Sequence, residues 1–370
     1  MNLVVNYFRE LGRATLDGWN RFWFTPADAA TLSLIRILAG AMLLYTHLVW
    51  TIGLDSFFGP HAWISPDAAA QSARFSLGPE LEQVSQADGR QPASYVWSYF
   101  WLIESPAALW TVHIAALVVF AMLMLGLASR VVAVLAYLAA VSYVNRLPGA
   151  LFGLDQTNCM LAMYLMIGPS GAAYSLDRWI AARRAGKRLA AAAPTVSGNI
   201  AIRLIQLHMC VIYFFAGLGK LHGETWWRGD ALWGAVANLE YQSLDMTWLA
   251  GWPLTIAVLT QVTVYWELFF CALVWPRILR PIVLAFAVPL HLGIAFGMGM
   301  ITFGLAMLIG CLSFVPPWLV RRVFDGAAAR EVENKTEARA GQGRGAQGAS
   351  EAAPVPRRFG AVAARSARVK

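Results

Sequence analysis

Apolar residues fall along this chain in long blocks separated by short polar punctuation. Eight such runs stand out, at 31–52, 107–127, 129–146, 158–176, 200–219, 253–275, 279–297 and 299–317. A helix crossing the hydrocarbon core of a bilayer needs about 20 predominantly apolar residues. The pattern therefore predicts an all-α fold, a polytopic membrane helix bundle of about eight spans. The first 26 residues read differently. Tyr7, Phe8, Leu11, Leu16, Trp19, Phe22 and Trp23 alternate with Arg9, Arg13 and Arg21, the pattern of an amphipathic interfacial helix. From 321 to 370 the chain turns to Ala, Gly and Arg without apolar periodicity, which predicts a disordered basic tail. Residues 27–320 are left as the transmembrane domain.

Composition sharpens this division. Hydrophobic residues make up 58% of the chain and charged residues 14%, with a mean hydropathy of +0.53. Soluble domains carry roughly 45–50% apolar and about 25% charged residues, so both figures point to membrane. The formal net charge is +8, and the segment 321–370 supplies 11 Lys/Arg against 5 Asp/Glu of it. The core shows no basic cluster interleaved with aromatics, which argues against nucleic acid as a partner. The four cysteines, Cys159, Cys210, Cys271 and Cys311, lie in apolar runs without CxxC spacing and read as small buried hydrophobes.

Orientation follows from the basic residues between spans. With the N-terminus inside, an eight-span layout puts 13 Lys/Arg on the inner side before the tail and 5 on the outer side. The loop 177–199 alone contributes five. The sequence thus predicts a multi-pass cell-membrane protein with both termini cytoplasmic and with 53–106 and 220–252 outside. Those outer segments hold many of the 16 tryptophans, among them Trp63, Trp97, Trp101, Trp226, Trp227, Trp233, Trp248 and Trp252, as interfacial anchors would be.

Polar residues inside apolar runs are the candidates for chemistry, because an ionisable group at membrane depth must find a partner or a purpose. Glu267 sits within Val264–Phe270 and His291 within Pro289–Gly293, while Arg203, Gln206 and His208 share the fifth span. Each has two readings, an interhelical hydrogen-bond anchor or a cavity residue. Nothing has metal-ligand spacing such as HExxH, so no metal site is expected. Lys220 closes the segment Tyr213-Phe214-Phe215-Ala216-Gly217-Leu218-Gly219-Lys220. It reads either as a snorkelling anchor or as a desolvated base, with Gly217 and Gly219 letting another backbone or a ligand approach closely.

That segment, followed by Trp226, Trp227 and a Gly-Asp pair, resembles the catalytic-lysine stretch of the vitamin K-dependent gamma-carboxylases. Phe152–Asn158 looks like the loop before a span in that family, and Pro289-Leu290-His291 with Phe296–Met300 is similar to its histidine-bearing helix and hairpin. Thr31–Ile37 is typical of the wider HTTM (horizontally transferred transmembrane domain) family, and the likeness extends over about residues 25–318. It implies a membrane domain with an outward-facing cavity that accepts a quinol or lipid. Lys220 would be the base, with Glu267 and His291 beside it, and Tyr213, Phe214, Trp226 and Trp227 would form the ligand's aromatic walls. Two departures narrow what is implied. Position 162, where the carboxylases carry a histidine, is alanine, and the basic tail stands where they have a large extramembrane domain. Classical protein glutamate carboxylation is thus not what the likeness implies.

Two classes of function fit these residues. One is a membrane enzyme with carboxylase-like, lyase-type chemistry on a quinol, a lipid or a small peptide. The other is a non-enzymatic membrane partner in the maturation or export of a small secreted peptide, like the membrane component of sporulation-delaying toxin systems. The layout has its own test. A cysteine placed at Ser85 should react with an impermeant thiol reagent on intact cells, and one at Ala346 should not. The reverse pattern would refute the orientation.

Overall fold

The computed structural model describes residues 2–69, 97–187 and 190–326. The tail from 327 and residues 70–96 of the 53–106 segment, for which the sequence carries expectations, lie outside the described residues. The chain divides into a helical body, residues 1–320, and a unit from 321 onward. In the second unit Arg321 pairs with Asp325 at 3.1 Å.

The body is an all-α membrane helix bundle. In chain order its helices are α1 (Asn2–Phe24), α2 (Ala30–Trp50), α3 (Leu54–Phe58), α4 (Pro106–Leu125), α5 (Ser129–Arg146), α6 (Gly153–Ile167) and α7 (Leu176–Ala185). There follow α8 (Val196–Leu221), α9 (Glu224–Arg228), α10 (Ala231–Val236), α11 (Pro253–Leu273), α12 (Arg280–Gly297) and α13 (Ile301–Cys311), and the division at 320 falls within α14 (Pro317–Phe324). Local sequence sets many of the ends. Ser105 caps α4 by accepting the Ala108 N–H at 3.2 Å, Pro106 occupies the first turn, and Gly126 ends the helix at φ 71°. Ser175 and Thr195 cap α7 and α8 in the same way.

Helices stand at all eight predicted runs, but fewer qualify as crossings. Five are long and apolar enough to span: Ala30–Phe58, Pro106–Leu125, Val196–Leu221, Pro253–Leu273 and Arg280–Gly297. A sixth is counted if Ile301–Phe314 and Pro317–Phe324 form one broken span. The run at 129–146 does form a helix, but Arg130, Asn145 and Arg146 dilute its apolar character. At 158–176 the helix begins earlier, at Gly153, and stops after 15 residues before Gly168-Pro169. Hydropathy counted those residues as if the helix ran through the proline, which removes an N–H and breaks the ladder.

Two apolar cores flank a seam made by α2 and α6. One gathers Leu32, Ile35, Leu161, Ile205, Tyr213, Phe270, Ala287 and Phe314; the other gathers Leu43, Phe58, Phe100, Phe120, Ala136 and Tyr143. The outward faces are apolar too, with Val118, Val131, Val211, Phe215, Val258, Phe269 and Ile282 exposed, as a lipid-facing surface requires. Helix α1 is tied down near its end, where Asn199 Nδ2 donates to the Phe22 and Trp23 carbonyls at 2.7 and 2.9 Å. Its residues Tyr7, Phe8, Leu11 and Trp19 stay exposed.

Buried cations hold the bundle's turns. Arg36, fully buried on α2, donates to Leu123 O at 2.8 Å, Met124 O at 3.0 Å, Ser170 O at 3.1 Å and Tyr174 O at 2.6 Å. A side chain on Gly126 would collide with that guanidinium, so glycine is required there for space as well as for its positive φ. Just beyond, Asp177 accepts from Ala128 N, Ser129 N and Ser129 Oγ at 2.7–2.9 Å and caps α5. Desolvation works to raise its pKa, but these hydrogen bonds and Arg36 outweigh it and hold the carboxyl below its ordinary value. Arg146, also fully buried, reaches Ile64 O at 2.8 Å and Gly59 O at 3.3 Å. Both arginines had counted toward orientation, one on each side, so the inside excess is unchanged.

Replacing Arg36 by Met should remove the hydrogen bonds to four carbonyls and cost about 3 kcal/mol, with Arg36→Lys intermediate because its single ammonium cannot reach them all. Thermal unfolding in detergent measures this. A wild-type midpoint for Arg36→Met would refute the clamp.

Candidate functional site

Helices α8 and α11 bring the candidate residues together. Tyr213 and Lys220 are seven residues apart on α8, two turns on one face, and so about 10 Å apart along the axis. Beside them α11 presents Glu267, with Trp266 and Phe270 flanking it. Lys220 Nζ lies 2.6 Å from Glu267 Oε2, with the lysine side chain 22% exposed and the carboxylate side chain 9%. Above the ammonium stands the Trp226 ring, its centroid 5.2 Å away, a cation–π contact. Trp226 is held there because the segment after α8 folds back on α11, where Gln261 Nε2 donates to Trp226 O at 2.7 Å and Thr260 Oγ1 accepts from Leu232 N at 3.2 Å.

Deeper in the bundle the buried Tyr213 hydroxyl lies 2.6 Å from His291 Nε2 and 3.3 Å from Cys311 Sγ. Its ring packs on Phe270 and Trp266, with centroids 4.4 and 4.9 Å away. His291 Nδ1 is buried and has no protein partner among the described residues. His291 is within electrostatic reach of Lys220, and Tyr213 of Glu267. These four polar side chains therefore share one neighbourhood, as two hydrogen-bonded pairs one above the other.

The remaining sequence candidates fall at its margin. Phe214 packs edge-on against the exposed Phe215, while Trp227 is exposed and donates its indole N–H to Leu221 O at 2.7 Å. The two glycines before Lys220 differ in what they admit. A Cβ on Gly217 would lie 2.9 Å from Leu268 N and 3.1 Å from its Cα, so that glycine serves close contact between α8 and α11 rather than room for a ligand. Gly219 does face open space. The other polar residues of the fifth span are anchors. Arg203 bonds Gln206 Oε1, Gln206 bonds Ser313 O, and His208 Nδ1 meets the Tyr164 hydroxyl, all at 2.7–2.9 Å. No cluster of three or more His, Cys, Asp or Glu among the described residues is arranged to hold a metal ion.

Sequence reasoning passed over a second polar group. His113 bridges Thr51 Oγ1 at 2.8 Å and the Tyr143 hydroxyl at 2.6 Å, and His47 is buried next to Tyr143. Single histidines in apolar runs carry no spacing signal, and only the helix packing joins them.

An all-α membrane helix bundle with a part-buried lysine–carboxylate pair is what the fold and site define. Compared with family models, curated proteins and solved structures, the chain has no match.

The pair itself can be tested. Glu267→Leu should strand Lys220 and destabilise the protein by about 2 kcal/mol, with Glu267→Gln losing less. Adding Lys220→Met to Glu267→Leu should recover part of the loss in detergent melts. Equal midpoints for all four proteins would mean the pair contributes nothing to the fold.

Proposed function

We propose that this is an HTTM-type membrane protein whose Lys220–Glu267 pair handles a proton of a flat, amphipathic, hydroxyl-bearing ligand such as a quinol, in carboxylase-like chemistry. The observation that carries the reading is the 2.6 Å contact between the two side chains under the Trp226 ring. In surroundings of low dielectric a neutral amine beside a neutral carboxyl competes with the ion pair, because burying separate charges is costly. Lys220 can then hand its proton to Glu267, and the free amine can take the proton of a ligand hydroxyl. The ammonium so re-formed faces the oxygen it has deprotonated, and Glu267 keeps the first proton. Trp226 supplies a face for a ring to stack on, and Tyr213 with His291 offers a second hydrogen-bonding pair deeper in the bundle.

A second reading is favoured by the same geometry. Lys220 is already bonded to Glu267, as it would be in a purely structural tie between α8 and α11. On that reading the protein is a non-enzymatic partner in the maturation or export of a small secreted peptide.

Solvent extraction of the purified protein followed by chromatography separates the two. The proton-handling reading expects a copurifying quinone, reduced about tenfold in Trp226→Ala, which leaves the ion pair in place. No quinone in the wild type, together with a stably bound small peptide that survives the Lys220→Met, Glu267→Leu double substitution, would leave the partner reading standing.

A further inference from the structure

Between α2, α5 and α6 lies a small internal void of about 10 Å³, bordered by Thr46, His47, Asp155 and Asn158. It belongs to the core opposite the Lys220 pair, and no proposal above uses it. His47 is 3% exposed, and its ring is fixed by Phe120, Tyr143 and Trp50, with centroids 4.3, 4.4 and 4.8 Å away. Its Nδ1 lies 2.7 Å from Leu43 O. A carbonyl only accepts, so Nδ1 carries the hydrogen. In a neutral ring Nε2 is then a bare acceptor. Three aromatic rings packed around the almost fully buried imidazole favour its neutral form.

Nε2 has no protein partner among the described residues, and neither does Oδ1 of Asn158, itself 3% exposed. None of the other side chains around the void, Trp50 and Cys159 included, donates to either atom. Thr46 Oγ1 gives its hydrogen to Met42 O at 2.9 Å, and the Asp155 carboxylate accepts from Phe152 N at 3.0 Å. Two unserved acceptors thus border one space. The complement is a donor of two hydrogen bonds with the volume of one small molecule, and about 10–15 Å³ suffices for a water. Acceptor-only groups such as a quinone carbonyl or a halide are excluded from this space.

We propose that one water molecule is built into this void, donating one hydrogen to His47 Nε2 and the other to Asn158 Oδ1. It ties the end of α2 to the first turns of α6, where Asp155 already closes the helix start on Phe152. The site depends on neither reading of Lys220.

A map of the full-length protein in detergent, at a resolution that shows ordered water elsewhere in the bundle, should have a peak within hydrogen-bond distance of both atoms. An empty void in such a map would overturn the proposal, as would an Asn158 amide turned so that Nδ2 bonds His47 directly. Stability gives an independent readout. Asn158→Leu, which leaves the aromatic packing intact, should lower the melting midpoint by a few degrees. Combining it with His47→Phe should lower the midpoint by less than the sum of the two, because the water loses both acceptors at once. Strictly additive losses would overturn the bridge. Ammonium chloride, against sodium chloride as control, should leave the midpoint unchanged; a rise that saturates with ammonium would replace water by ammonium as the occupant.

Discussion

The Arg36 guanidinium donates to carbonyls from the end of α4 and from the turn after α6, and so ties both stretches to α2. In water such carbonyls would be satisfied at no cost, but within an apolar bundle each needs a protein donor. One rigid fork of N–H groups meets several of these demands from a single position, and its charge is spread over the carbonyl dipoles that surround it. Gly126 and Asp177 complete the arrangement, the first by leaving space for the fork and the second by capping α5 beside it. With that end of the bundle fixed, α2 and α6 become the seam on which both cores pack.

The same constraint shapes the candidate site. Glu267 cannot remain alone on α11, and α8 offers Lys220 because Gly217 lets the two helices meet closely one turn earlier. Tyr213 and His291 answer each other in the same manner. A pair that satisfies two buried groups is also a pair between which a proton can move, so structural and chemical roles use the same atoms. His47 and Asn158 are the contrasting case, where two acceptors face each other across a gap and neither can serve the other.

Much of the architecture was legible in the chain. Long apolar blocks located the helices, because bilayer thickness and backbone hydrogen bonding act on local sequence. Lys220, Glu267 and His291 stood out for the same reason, as polar residues where polarity is costly. The number of crossings was less legible, since hydropathy averaged across Gly168-Pro169 and could not see that α6 stops there.

What the sequence by itself determined, then, was the helical membrane class, the places of its helices and the residues that needed partners. Which partner each one found was decided by tertiary structure alone. Lys220 meets Glu267 across 47 positions, Tyr213 meets His291 across 78, and Arg36 reaches Tyr174 across 138. The physical reason lies in helix packing. Local sequence sets the 3.6-residue period and the face a side chain takes, but the depth and neighbour that face meets depend on how all the helices settle against one another.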